Sequence, residues 1–502
     1  MGKESLFSGI SGERIMKFLK GVLQKSGGIL GVVSLAGMVA LALPKNAHAI
    51  PSYARQTGFA CDICHTVYPH LTPFGRDFKL HGYVMDTAEC VKASGNAQMC
   101  GVNINRIPMI SARIVSLWSN QAGGDHVVPR GVTTAGQGFM SFPSGYNDTE
   151  TFNLVGDSSI YFGGRIAPDM GTFLEFTGID DEGGSLGLGA VDVALTGPET
   201  TLGDKSLLYG IRGVDSVFTG DPSNSLGMWG LTSQLMGMST HNTLFDPNRA
   251  MVEGGELYGM WGDFNDGGLF ATVGFYHPTG TQTSGSFVQG NLAGLTGTQG
   301  ALNTSSVDVA PRLAYYFPQS HDLYAEIGVS GYFGKEGMIA PSTASIPNPN
   351  YNDNYYDYAV DAQVQYIGDK NLAELFAIYQ SQNDNKFYGQ DMYSGTDYGT
   401  NGTSVQRNGL GIAADYYYKR TYGAYVKYLY QSSDKVKDIN VSGAILGLSW
   451  YPWENVQLMI EQALYSTYNP GLAYYRKLTG NQNLSLAASD FNVTSVKLEY
   501  LF

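Results

Sequence analysis

Cys61, Cys64 and His65 stand in the order Cys-x-x-Cys-His. This spacing lets two thiols add to the vinyl groups of a haem while an adjacent imidazole binds the iron. A bare Cys-x-x-Cys also serves as half of a zinc knuckle or as a redox dithiol. Zinc wants a second Cys or His pair, and the remaining cysteines, Cys90 and Cys100, lack the Cys-x-x-Cys form. A dithiol oxidoreductase would need a surrounding βαβ pattern, which the sequence does not carry. One covalent haem c is therefore the expected cofactor, attached at Cys61 and Cys64 with His65 as proximal ligand.

Haem c attachment in bacteria happens outside the cytoplasm, and the N-terminus reads as an export signal. Lys3, Arg14, Lys17, Lys20 and Lys25 supply a basic leader. The apolar stretch Gly28 to Leu43 is broken by Gly and Ser and falls short of the roughly 20 apolar residues that a membrane-spanning helix needs. Ala47-His48-Ala49 is an A-x-A cleavage site, so residues 1–49 are expected to be removed and the mature chain to begin at Ile50. In an oxidising compartment Cys90 and Cys100 are expected to form a disulfide, two unrelated buried thiols being the alternative.

The elements that must position the motif are strands. Charged residues make up only 15% of the chain, with 65 Gly and 34 Tyr, and no apolar run after the leader is long enough for a transmembrane helix. A formal net charge of −14 argues against nucleic acid as partner. From Tyr358 to Tyr366, one face carries Tyr358, Val360, Ala362, Val364 and Tyr366, the other Ala359, Asp361, Gln363 and Gln365. An apolar face with aromatic ends, backed by a polar face, suits a membrane barrel strand with lipid outside and water or a polar plug inside. A soluble sandwich would alternate too, but would not require aromatic residues at both rims.

Such segments begin near Arg106, Phe152, Gly171, Leu186, Lys205, Met251, Leu269, Val307, Leu323, Tyr355, Leu372, Arg407, Tyr422, Asn440, Val456 and Phe491. They predict an all-β outer-membrane barrel of about 16 strands over residues 106–502. Short turns, as at Asp369-Lys370 and Lys419-Arg420, alternate with long loops such as Val214 to Arg249 and Lys335 to Asn354. Short periplasmic turns and long outer loops put both ends of the barrel on the periplasmic side. Val493 to Phe502, ending on an aromatic residue, resembles the C-terminal sorting signal of outer-membrane barrels. Residues 50–105 are too few to build a core readily on their own. They are expected to be a small c-type cytochrome segment that enters from the periplasmic side and plugs the lumen.

Tyr53-Ala54-Arg55-Gln56-Thr57-Gly58, Cys61 to His65, Pro69, Leu71, Phe74-Gly75-Arg76, Phe78-Lys79 and Gly82-Tyr83 resemble the fused outer-membrane cytochrome–porins. The best-known members of that family are iron(II)-oxidising monohaem cytochromes. The resemblance implies extracellular Fe(II) as electron donor, a haem in or at the lumen, and a periplasmic acceptor such as a soluble cytochrome c or a copper protein. For the distal ligand the candidates are His70, His81, Met85, Met99 and Met109. His70 lies too close to His65 to fold back easily; Met85 falls where the resemblance would put the ligand, with His81 as rival. Arg55, Arg76 and Lys79 are candidates to pair with haem propionates, or are ordinary lumen cations. The acidic run Asp180-Asp181-Glu182 is either a ferrous-attracting loop or a solvated hairpin tip. Two function classes follow: an electron-transfer oxidoreductase for iron(II), or another donor or acceptor, and a channel in which the haem segment is a plug or redox gate.

Overall fold

The computed structural model describes residues 51–67, 70–84, 110–121, 150–179, 187–217, 220–224, 251–278, 307–320, 322–337, 352–387, 403–433, 435, 440–453, 455–469 and 485–502. The leader, Met85, Cys90, Met99, Cys100, Met109 and Asp180 to Glu182 lie outside the described residues.

Among the described residues, seventeen strands follow one another. They are β1 (Ile110–Gln121), β2 (Glu150–Ala167), β3 (Met170–Ile179), β4 (Gly187–Thr196), β5 (Thr200–Leu202), β6 (Lys205–Val217), β7 (Met251–Asp263), β8 (Gly267–Pro278) and β9 (Asp308–Tyr316). They continue with β10 (Leu323–Gly337), β11 (Asn352–Ile367), β12 (Asn371–Phe387), β13 (Thr403–Tyr418), β14 (Tyr422–Ser433), β15 (Val441–Trp453), β16 (Val456–Tyr468) and β17 (Val493–Leu501). Neighbours pair antiparallel around the whole order, and β17 closes on β1 from Arg113↔Leu501 to Gln121↔Val493. Both β4 and the three-residue β5 pair with β6, so β5 prolongs β4 within one stave and the wall has 16 staves. Closure leaves no unpaired edge, which a strand wall in lipid requires.

Side-chain alternation explains why these segments take this form. In β11, Tyr358, Val360, Val364 and Tyr366 face outward and are exposed, while Asp361, Gln363 and Gln365 face inward and are buried. In β14 the same alternation exposes Tyr422, Val426, Tyr428 and Tyr430 and buries Tyr425, Lys427 and Leu429. Leu313, Ile327, Ile412, Leu446, Leu448 and Ile460 extend the exposed apolar band round the wall. Trp261, Phe317, Tyr366, Tyr418, Tyr422 and Trp450 are exposed within a few residues of the short turns and form an aromatic girdle at that rim. The chain is a multi-pass transmembrane barrel of the outer-membrane type. Among the described residues no helix is long and apolar enough to cross a membrane.

Short connections occupy one rim, among them residues 168–169, 264–266, 317–320, 368–370 and 419–421. One feature departs from the sequence expectation. Residues 220–224, within the segment expected as an outer loop, lie inside the lumen, where Ser223 Oγ donates to Glu326 Oε2 at 2.6 Å and Asp221 and Ser223 are buried. Short polar side chains can satisfy a loop backbone indoors: Ser223 N–H bonds Asp221 Oδ1 at 2.8 Å.

Candidate functional site

The Cys-x-x-Cys-His motif sits among three short helices: α1 (Pro51–Thr57), α2 (Cys61–Cys64) and α3 (Pro73–Leu80). Gly58, at φ +74°, turns the chain after α1. The α2 turn has Asp62 near its N-terminus and closes with His65 N–H donating to Cys61 O at 2.9 Å. Helix α3 starts from Thr72, whose hydroxyl accepts from Gly75 N–H at 3.1 Å, with Pro73 in the first turn. It ends in a Schellman motif: Gly82 and Tyr83 have positive φ, Tyr83 N–H bonds Phe78 O at 2.9 Å, and the Tyr83 and Phe78 rings touch edge-on. Tyr53 stacks on Tyr83 and meets Phe78 edge-on, each at 5.4 Å between centroids.

Helix α3 backs the motif directly. Thr72 N–H donates to Cys64 O at 3.0 Å and Thr72 Oγ1 to Ile63 O at 2.5 Å. A methyl group at Gly75 would collide with the Cys64 carbonyl oxygen, so only glycine lets α3 pack this close.

The segment is lodged in the lumen near the short-turn rim and is bonded round the wall. Arg55 donates to Ile110 O of β1, Gln56 to Gly163 O of β2, and Tyr53 to Thr172 O of β3. Tyr83 donates to Asp192 of β4, Arg212 of β6 to Lys79 O, and Tyr258 of β7 to Leu80 O. Across the barrel, Arg76 bonds Gln365 of β11, whose amide also donates to Leu71 O, and His70 Nδ1 lies 2.6 Å from Glu374 Oε2 of β12. Arg420, in the turn after β13, donates to Asp62 O at 2.9 Å and to His65 O at 3.3 Å. Lys79 donates to Asp221 O and Asn224 Oδ1 of the inner loop, and Leu71 N–H to Ser223 O. A methyl at Gly171 of β3 would strike Gly82 O, so the wall there is cut to fit the plug.

Several charges inside the lumen are paired. Arg212 lies 3.0 Å from Asp192 with Glu256 beyond it, and Arg312 makes a two-pronged contact with Asp361 at 2.6 and 2.9 Å. On the plug, burial and the Asp62 carboxylate push the Cys64 thiol up to about 11. Burial, reinforced by Arg212, pulls the Lys79 ammonium down to about 8. The bond to Asp77 raises His81 to about 9.

These residues fit a covalently attached haem. Cys61 and Cys64 are half-buried, one turn apart and not joined by a disulfide; the imidazole follows directly, and its backbone is held by Arg420. Of the cations expected near propionates, Arg76 is buried against Gln365, Phe264 and Tyr316, and Lys79 is buried on the inner loop. Arg55 stays exposed, on Ile110 O. His81 caps α3 and engages Asp77. Sequence reasoning missed Arg420, Gln365, Glu374 and the inner loop. Inward-facing polar positions were legible for the strand residues, but their partners lie hundreds of positions away in the chain.

No family model matches the chain, and no curated protein does. Solved structures do. The chain is similar to the outer-membrane channel DcaP of Acinetobacter baumannii, at 12% identity over 82% of this chain and 100% of that one, with a TM-score of 0.43. It is similar to an anion-selective porin from Comamonas acidovorans, at 10% identity over 78% and 98%, TM-score 0.40. It is also similar to OprB of Pseudomonas putida, at 12% identity over 80% and 94%, TM-score 0.42.

Proposed function

We propose that this chain is a plugged outer-membrane barrel whose plug carries one haem c. It takes single electrons from extracellular Fe(II) and delivers them to a periplasmic carrier, a soluble cytochrome c or a copper protein. The motif lies at the periplasmic rim. The observation that carries this reading is the Cys61–His65 motif on a segment bonded to β1, β2, β3, β4, β6, β7, β11 and β12. So many directional bonds, several of them buried and charge-assisted, suit a fixed relay better than a moving gate. Held by Cys61, Cys64 and His65, a haem supplies a one-electron couple. The chain's own contribution is to fix the motif through Thr72, Gly75 and Arg420 and to surround it with a wall that limits water.

A second reading starts from the same architecture: a channel for a diffusing solute, with the haem segment as plug or redox gate. The porin-like barrel supports it directly. A conduit for a different donor or acceptor would share the plug and the haem. Anaerobic addition of Fe(II) to the purified ferric protein separates them. Prompt reduction of the haem is the expected result; a haem that stays oxidised sinks iron oxidation and leaves the channel or a conduit for another redox partner. In the same preparation Cys64→Ala should lose the full covalent haem stain.

A further inference from the structure

We propose that His70, Glu374 and Asp415 form a binding site for a divalent first-row metal ion inside the lumen. On the function proposed above, this is the seat of the ferrous donor, and that last step rests on that reading.

One ligand atom from each of the three residues falls within 4.8 Å of the others. An imidazole with two carboxylates suits Fe(II) or Mn(II). The three come from separate elements: His70 from the plug, Glu374 from β12 and Asp415 from β13. Glu374 and Asp415 are direct cross-strand partners, both inward and both buried. Like charges placed opposite one another on a sheet repel, and burial removes the water that would screen them. A wall built this way calls for positive charge between the carboxylates. Lys427, buried on β14 and diagonal to Asp415 across the β13–β14 pairing, supplies one unit. His70 supplies a second only when protonated. A divalent ion in place of that proton neutralises both carboxylates by itself, with Lys427 left as one unit of excess positive charge, and gains an imidazole ligand.

The surroundings are those of a ligand set. Gln365 Nε2 donates to Glu374 Oε1 at 2.7 Å, which fixes the carboxylate and leaves Oε2 toward His70. The same Gln365 accepts from Arg76, so the orienting amide is itself held. His70 keeps 12% of its side chain open to solvent, a way in for an ion. The site is also next to the motif: Thr66 N–H donates to His70 O, and His65 pairs with Leu71 in an isolated bridge. An ion here sits within a few residues of the proximal ligand without sharing it.

Mn(II) is the probe, because a cytochrome haem does not oxidise it and its free-ion EPR signal vanishes on binding. Titrated into the full-length haem-loaded protein in detergent, Mn(II) should lose about one equivalent of signal per chain. Asp415→Asn, close to isosteric, should weaken that binding at least tenfold, and His70→Gln should do the same. Heat-modifiable gel mobility and the haem spectrum, unchanged in both variants, show that the barrel and plug persist. Absence of saturable Mn(II) binding in the parent overturns the site, as does equal binding in parent and variants. If Mn(II) binds as expected and Fe(II) still fails to reduce the haem, the site stands and the iron-oxidation reading falls.

Discussion

The inward faces of β4, β6, β7, β9, β11 and β12 carry charged and amide side chains in partnered sets: Asp192–Arg212–Glu256, Arg312–Asp361 and Gln365–Glu374. On β12 to β16 the inward faces also carry a second, apolar kind of surface. Phe376, Ile378, Leu429, Ile445, Met459, Ala463 and Tyr465 pack into one buried apolar cluster, joined by Phe491 just before β17. On β12 alone, Glu374 belongs to the first tier and Phe376 and Ile378 to the second. The difference assigns two tasks to one lumen. Directional bonds fix where a polar backbone segment sits and which way it faces, whereas apolar packing excludes water with no preference for orientation.

The sharpest way to break that contrast is to unbalance the polar tier. Arg312→Met leaves Asp361 buried without its two-pronged partner and should cost about 4 kcal/mol, the scale for stranding a buried charge. Urea unfolding of the barrel in detergent measures it. Arg312→Met with Asp361→Leu removes both charges and should recover most of that loss, since a matched apolar replacement is close to neutral. If the double variant is as unstable as the single, Arg312 stabilises by some means other than its pairing.

Damage to the apolar tier should read differently. Leu429→Ala opens a cavity in the cluster and should cost about 3 kcal/mol of unfolding free energy, while protease protection of the plug stays as in the parent. Loss of plug protection in this variant would mean that the tiers are one cooperative unit.

The wall was legible because its signal is local. Alternation with period two fixed all the staves from residues such as Tyr358 to Tyr366, and every start point expected from the sequence falls within a few residues of a strand. The docking was not legible, because the pleat says that Glu374 points inward and says nothing about His70 meeting it. Parts of the plug could be read only after the fold was known. Gly75 looked like one member of a Phe-Gly-Arg run, and its reason is the Cys64 carbonyl against it. The inner loop at 220–224 had no local mark, since a short polar segment reads as solvated whether water or a plug surrounds it. Met85 and the Cys90–Cys100 pairing fall on residues that the structure does not describe.

The smallest expected effect is a pH dependence confined to the plug. Lys79 is buried on Asp221 O and Asn224, with Arg212, Asp192 and Glu256 as its charged neighbours. Its ammonium titrates near 8 when docked, against 10.5 for an unperturbed lysine. Because the docked pKa is the lower one, the undocked segment binds more protons between those values, and docking must strengthen as pH rises through that window. Below pH 8 both states are protonated and the cost of the buried charge is present in full. The gain should reach about 2 kcal/mol between pH 8 and pH 9.5. His81 acts in the opposite sense on the helix itself, its bond to Asp77 holding the last turn of α3 at low pH and fading as pH rises through about 9. Both members of that pair are partly open to water, which screens the effect. Hydrogen exchange of residues 70–84, corrected for intrinsic rates and referenced to β12 amides, reads the difference. Protection of the plug should rise with pH in the parent while the wall stays level, and Lys79→Met should abolish the rise. A rise that survives in Lys79→Met would assign it to another group and leave the polar tier indifferent to this lysine.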